Sequence, residues 1–200
     1  HLIGEREGYE LAQPPAEGQR CGIDAGAPAR ALVRGVDHRF EIALPRERRR
    51  QRRSDLYTDA HPAVVVARGL FDDAGLRRYA GSVLDVHFDH CLARHWQRWN
   101  DAPLADFTAR VYRVLDEHRD ELPSRLRAIA PRMAAHDWLG SYVQRGNVDH
   151  AVRGIATRLS RNGDKLVACL DVLRVEEARI EAAFEAFFPD LVDAAAAMRD

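Results

Sequence analysis

The chain has 200 residues, with 30 basic and 31 acidic side chains and a formal net charge of −1. That length suits one domain with a real hydrophobic core, and the charge balance gives no general attraction to nucleic acid. No apolar run is long enough to span a membrane, and no charged-then-apolar leader is present. The three cysteines, Cys21, Cys91 and Cys169, form no CxxC pair, which is typical of a reduced protein. We therefore predict a cytoplasmic globular protein with no membrane or nucleic-acid partner.

Residues 1–53 show little periodicity, because Gly, Pro and short polar stretches interrupt any helical pattern. Six arginines fall within Arg46–Arg53, "RERRRQRR". We interpret this run as a solvated segment, with a basic patch for phosphates or nucleic acid as the alternative. The sequence thus predicts an irregular or divergent segment over residues 1–53 and a helical domain over residues 54–200.

From Ser54 onward the pattern is helical, and no segment alternates as a strand would. Thr58 and Asp59 are candidate N-caps for a helix whose first turn contains Pro62. The residues Leu76–Trp99 predict one long helix. Further along the chain, the periodic segments continue to alternate with turn signals.

A helix begins near Pro103, and another begins at Pro123 and is kinked or divided at Pro131. The "NGD" at Asn162–Asp164 predicts a turn before the last helix. That helix places six large apolar side chains on one stripe: Leu166, Leu170, Leu173, Ile180, Phe184 and Phe187. The fold class is all-α, a single-domain bundle of six or seven helices.

Two acidic residues interrupt the apolar pattern of "SVLDVHFDHCLARHW", residues 82–96. At about 100° per residue, Asp85 and Asp89 lie one turn apart on or beside the stripe that must face the core. His87 projects to the far side, and His90 lies at the edge. Burying two carboxylates side by side costs several kcal/mol unless positive charge or hydrogen bonds offset it.

Three partners could offset the burial of Asp85 and Asp89. A divalent cation would turn their mutual repulsion into shared coordination. A buried arginine would also serve, and Arg78 projects to the same face. The third alternative is a set of hydrogen bonds from the N-termini of neighbouring helices. The spacing alone leaves all three open.

Several blocks of the sequence resemble one known family. "LDVHFDHCLARHW" (Leu84–Trp96) is similar to the DxxxDHxLxxxW core of the acyl-carrier-protein phosphodiesterases. "DLYTDAHPAV" (Asp55–Val64), the segment Met133–Arg161 and the terminal "FEAFFPDLV" (Phe184–Val192) resemble other blocks of that family, in the same order. The similarity runs from Arg52 to the C-terminus.

The resemblance implies an all-α fold distantly like the HD-domain phosphohydrolases. It also implies a Mn²⁺-dependent hydrolase of fatty acid and lipid metabolism that removes 4′-phosphopantetheine from a serine of holo acyl carrier protein. The carrier protein would be the partner, and no oligomeric state is implied.

Site residues follow from the same motifs. Asp85 and Asp89 match the acidic positions of the DxxxDH core, and Asp55 matches the Asp of the family's HRxID motif, so all three are expected to hold the metal. His90 is expected to handle protons. Arg52 matches the Arg of HRxID and is expected to contact a phosphate oxygen. Asp59 is a further catalytic candidate, which could instead cap a helix or orient a metal ligand.

The departures from the family pattern all lie before Asp55 in the chain. Ala31 stands where the family has an Asp, Gln51 replaces the His of HRxID, and Ser54 replaces its Ile. Residues 1–10 do not reproduce the family's first apolar helix. This break resembles a shifted reading frame, and it predicts an incomplete metal site with weak Mn²⁺ binding and little turnover.

Two other functions compete with hydrolysis. The first is a non-catalytic relative that binds an acidic carrier protein through an arginine-rich surface containing Arg153, Arg158 and Arg161. The second is a small helical nucleic-acid binder that uses Arg46–Arg53.

Overall fold

The computed structural model describes the backbone of residues 45–197 and the side chains of residues 52–197. This part of the chain contains seven α-helices and no strand, which confirms the all-α prediction. The helices are α1 Pro45–Ala60, α2 Pro62–Gly69, α3 Arg77–Arg94, α4 Leu104–Glu117, α5 Ser124–Ala135, α6 Arg145–Ala156 and α7 Gly163–Ala197. Three short 3-10 segments join them at Trp96–Arg98, Arg119–Glu121 and Gly140–Val143.

Helix α1 crosses the boundary that the sequence predicted between residues 53 and 54. Residues 45–53, which the sequence assigned to an irregular or divergent segment, are therefore helical. Arg, Glu and Gln all have good helix propensity, so a charged run without glycine can be helical although it shows no apolar stripe. Residues 1–44, including Cys21 and Ala31, lie outside the described part of the chain.

The junction of α1 and α2 differs from the predicted capping. Pro62 is the first residue of α2, as predicted, but the N-cap is His61, whose Nδ1 accepts from the amide of Ala63 at 3.3 Å. Thr58 and Asp59 still belong to α1, and the Thr58 hydroxyl donates to a carbonyl one turn earlier at 2.8 Å. The predicted caps were therefore placed two or three residues too early.

The long helix predicted over Leu76–Trp99 is shorter in the structure. Helix α3 ends at Arg94, and a 3-10 segment follows. Trp96 is buried there, and its indole N–H donates to the carbonyl of Ala102 at 2.7 Å. A buried indole needs a hydrogen-bond acceptor, and the turn brings one within reach.

Helix α5 passes through Pro131 and continues to Ala135, so it is not divided at that proline, and the alternative of a kink there stays a prediction. The chain turns instead at Asp137, which has a left-handed φ of 41°. The Asp137 carboxylate accepts from the amide of Gly140 at 3.2 Å. A Cβ at position 140 would lie 2.1 Å from Asp137 Oδ2, so any larger residue there would force the Asp137 carboxylate to move.

Helix α3 lies at the centre of the core and contacts α2, α6, α7 and the Gly140–Val143 segment. The predicted apolar stripe of α7 is confirmed, since all six of its residues are buried. Phe184 illustrates the packing: its ring centroid lies 5.6 Å from that of Phe88 and 4.9 Å from that of Phe188. A smaller apolar cluster joins α4 to α5. No helix between residues 45 and 197 combines the length and apolar character that a membrane crossing needs.

Candidate functional site

Helix α3 carries three polar side chains inside the core. His87 is 0% exposed, Asp89 is 1% exposed and His90 is 2% exposed, while Asp85 is half-buried. The burial of Asp89 was predicted. The projection of His87 to a far side of the helix was misleading, because Glu181 of α7 lies against that side. Between residues 83 and 93 every side chain except that of Asp85 is buried, so this part of the helix has no solvent-facing stripe.

Four polar residues of α3 form two faces, and His90 lies between them, with its ring centroid 5.6 Å from that of His87. Asp85 and Asp89, one turn apart, make a carboxylate face; His87 and Cys91, also one turn apart, make an imidazole–thiol face. The two pairs are offset by about 200° around the helix, so they point to nearly opposite sides. The negative charge of Asp89 is felt by Tyr142, where it adds to burial in raising the pKa of the phenol. The imidazole–thiol face lies near Glu181 of α7.

His90 is held in one tautomer by the backbone. Its Nδ1 lies 2.6 Å from the carbonyl oxygen of Tyr142, and since a carbonyl can only accept, Nδ1 carries the proton. Nε2 therefore presents a lone pair, and this buried atom has no hydrogen-bond partner in the described part of the chain. Burial lowers the pKa of His90, which favours the neutral ring. A neutral imidazole with one nitrogen held by a carbonyl can ligate a metal or accept a proton.

The remaining predicted site residues lie on α1. Asp55 is half-buried and Arg52 is exposed. Asp59, with half of its side chain exposed, accepts from Arg68 at 2.8 Å, in an ion pair that links α1 to α2. The catalytic role predicted for Asp59 thus falls on a surface carboxylate rather than on a buried one, and it remains a prediction.

Arg78 was one alternative partner for the carboxylate face. The structure places Arg78 on the surface, so it is not the buried guanidinium that this alternative required. Arg145 lies closer to the two buried imidazoles. It donates to Asp149 at 2.8 Å and to Glu177, and its positive charge helps to lower the pKa of both His87 and His90.

His87, Cys91 and Glu181 form a group that the sequence analysis missed. One ligand atom from each lies within 4.8 Å of the others, an arrangement that could hold a divalent cation. Burial is the main cause that lowers the pKa of His87 to about 3, and it also raises the pKa of the Cys91 thiol. The one-turn spacing of His87 and Cys91 was the available signal, but Glu181 is distant in sequence and gives none.

The exposed surface of α6 and of the turn after it is basic. Arg153, Arg158 and Arg161 are all exposed, as predicted. Such a surface can attract an acidic partner protein, since complementary charge speeds encounter and fixes orientation.

Comparisons with known proteins agree on one family. The family model described as acyl carrier protein phosphodiesterase matches residues 22–191, including much of the segment in which the sequence departs from the pattern. A protein of that name from Serratia proteamaculans (strain 568) is 30% identical over 145 residues, covering 72% of this chain and 74% of the relative. One from Escherichia coli O6:H1 is 30% identical over 152 residues, with the same coverage. No solved structure matches the chain significantly. The chain therefore belongs to the acyl carrier protein phosphodiesterase family.

Proposed function

We propose that this protein is a metal-dependent hydrolase that releases 4′-phosphopantetheine from holo acyl carrier protein and leaves the apo form. The family supports an enzyme that acts on a phosphodiester of acyl carrier protein. One observation supports the chemistry: within the DH pair, Asp89 is buried and His90 offers a lone pair at Nε2 with no hydrogen-bond partner among the described residues.

The donor types fit a manganese ion of the kind that the family resemblance implies, although among the described residues Asp55, Asp85 and Asp89 do not come together as a compact ligand group. Asp55, Asp85 and Asp89 would supply carboxylate oxygens, the ligand type that Mn²⁺ prefers. His90 has an open Nε2, and its Nδ1 is fixed by the Tyr142 carbonyl, as is usual for histidines that bind or face a metal. When bound, the ion would stabilise negative charge on the phosphoryl group and lower the pKa of the attacking water.

The protein's own residues would carry the remaining steps. His90 would accept a proton from the attacking water, as its neutral state and lone pair allow. A water oxygen bonds to phosphorus, the bond from phosphorus to the carrier serine breaks, and the serine oxygen takes up the proton that His90 had accepted from the water. Arg52 would hold a phosphate oxygen by a charge-assisted hydrogen bond. The exposed arginines Arg153, Arg158 and Arg161 would meet the acidic carrier protein.

A non-catalytic carrier-protein binder is the second candidate. The observation that favours it is the replacement of expected family side chains by Ala31 and Gln51. Such a protein would keep the basic surface for its partner but would hydrolyse nothing.

The direct test follows the mass of holo acyl carrier protein incubated with the full chain. We expect Mn²⁺-dependent loss of the 4′-phosphopantetheine group, prevented by a chelator and restored by added Mn²⁺. Turnover should be slow, because Ala31 and Gln51 replace two side chains of the expected metal site. Binding of the carrier protein without loss of 4′-phosphopantetheine would favour the second candidate. Loss of the group at the same rate with chelator present would contradict the metal dependence.

Two neighbouring arginines test how the phosphate is held. Arg52 and Arg53 are both exposed, so replacing either with Gln should change the free energy of unfolding by less than about 0.5 kcal/mol. We expect Arg52→Gln to lower kcat/KM by about tenfold to a hundredfold, since a hydrogen bond to a charged group contributes about 1.5–3 kcal/mol. Arg53→Gln is the matched control and should have little effect. Equal losses in both variants would instead indicate a general attraction to the basic run.

A further inference from the structure

We propose that His87, Cys91 and Glu181 form a separate site for a divalent cation of the zinc class, which joins α3 to α7 inside the core. The proposal does not use the carboxylate face of α3, to which the hydrolysis assigns its metal. The His87 ring does lie beside the proposed base, with its centroid 5.6 Å from that of His90. It rests on the placement of the three side chains and on the His87 ring, whose two buried nitrogens have no hydrogen-bond partner among the described residues.

The three side chains come together from two helices. His87 and Cys91 lie one turn apart on α3 and are buried, and Glu181 reaches them from α7 with its side chain about one third exposed. Their ligand atoms lie within 4.8 Å of one another. Ligand atoms around a tetrahedral zinc ion lie roughly 3.3–3.8 Å apart, given bonds of about 2.0–2.3 Å. A closing movement of about 1 Å is within the reach of side-chain rotamers, and Glu181 has the freedom for it.

The His87 ring gives the second, independent observation. It is 0% exposed, and neither ring nitrogen has a hydrogen-bond partner among the described residues. Buried polar atoms are nearly always paired, since leaving one unpaired is costly. A metal ion at the shared position would satisfy one of the two nitrogens. The charge of the ion would be balanced by the Cys91 thiolate and the Glu181 carboxylate.

The ligand types decide which metal the site would take. Thiolate and imidazole favour zinc and cobalt over manganese and magnesium, which prefer oxygen ligands. Burial keeps the Cys91 thiol protonated, so the metal must displace that proton when it binds. Arg94 donates to Glu181 at 3.2 Å and would orient that carboxylate from the surface side. Three protein ligands leave a fourth position open.

The experiment uses Co²⁺ as a spectroscopic probe of the reduced, full-length chain. We expect one equivalent to give a sulfur-to-cobalt charge-transfer band, and Zn²⁺ to displace it. Cys91→Ser should remove the band and weaken Co²⁺ binding by at least about tenfold. The matched controls are Cys169→Ser, which changes another buried cysteine, and Cys21→Ser. Both should keep the band.

Two more variants keep the test decisive if Cys91→Ser folds poorly. Glu181→Gln changes a partly exposed side chain and should keep the band while weakening binding by about tenfold. Asp89→Asn should leave the band unchanged, because the carboxylate face points away from this site. The proposal is overturned if the wild type shows no thiolate band, if the band survives Cys91→Ser, or if it disappears in Cys169→Ser, Cys21→Ser or Asp89→Asn.

Discussion

Replacing Asp89 with Asn should abolish Mn²⁺ binding and all Mn²⁺-dependent hydrolysis, while the metal-free protein remains at least as stable as the wild type. The reason is electrostatic. Asp89 is 1% exposed and Asp85 lies one turn away, so without a cation the two carboxylates repel each other. Asparagine removes that repulsion and a metal ligand together.

The same variant separates the metal from an arginine as the partner of Asp89. If a buried guanidinium were the partner, Asp89→Asn would strand it and cost about 3–5 kcal/mol with or without metal. The measurement is the free energy of unfolding of both proteins, each with chelator and with Mn²⁺. Asp73→Asn, the same change at an exposed position, is the control and should alter neither stability nor hydrolysis. A large loss of stability in the metal-free Asp89→Asn protein would contradict the metal assignment.

Our expectation of slow turnover has its own test in the wild type. It rests on Ala31 and Gln51, which replace expected family side chains. Tight stoichiometric binding of Mn²⁺ with rapid release of 4′-phosphopantetheine would contradict it. In that case other residues of this chain would have to complete the metal site.

Strong periodicity explains what the sequence predicted well. The stripe of α7 from Leu166 to Phe187 was identified correctly because large apolar residues recur at helical spacing on one side. The burial of Asp89 was predicted for the same reason, since it shares a stripe with Phe88 and Trp96. For these residues, local spacing and tertiary packing agree.

The failures have an equally physical cause. Helix α1 was missed over residues 45–53 because a charged helix has no apolar stripe to detect. His87 was placed on a far side because projecting one helix supposes that only one of its sides is covered. Helix α3 is covered by α7 and by the Gly140–Val143 segment together. Only tertiary structure could therefore bring Glu181 to His87.

Replacing His87 with Leu should stabilise the metal-free protein, an unusual result for a change at a fully buried position. Leucine has a similar volume and removes two buried ring nitrogens that have no hydrogen-bond partner among the described residues. The gain should be about 1–3 kcal/mol, the usual penalty for a buried unsatisfied polar group. His150→Leu is the control, because that ring is exposed, and it should change stability by less than about 0.5 kcal/mol.

In excess Zn²⁺ the wild type should become more stable than the His87→Leu variant, the reverse of their order without metal. A ligand that binds only the folded state stabilises it by an amount that grows with ligand concentration, so the wild type should gain stability in excess Zn²⁺. The His87→Leu variant lacks a ligand and should gain little. Chemical denaturation of both proteins, with chelator and with Zn²⁺, measures the two effects separately. A His87→Leu protein that is less stable than the wild type even with chelator would show that the buried ring is satisfied in solution. An equal response to Zn²⁺ in both proteins would show that His87 is not a ligand.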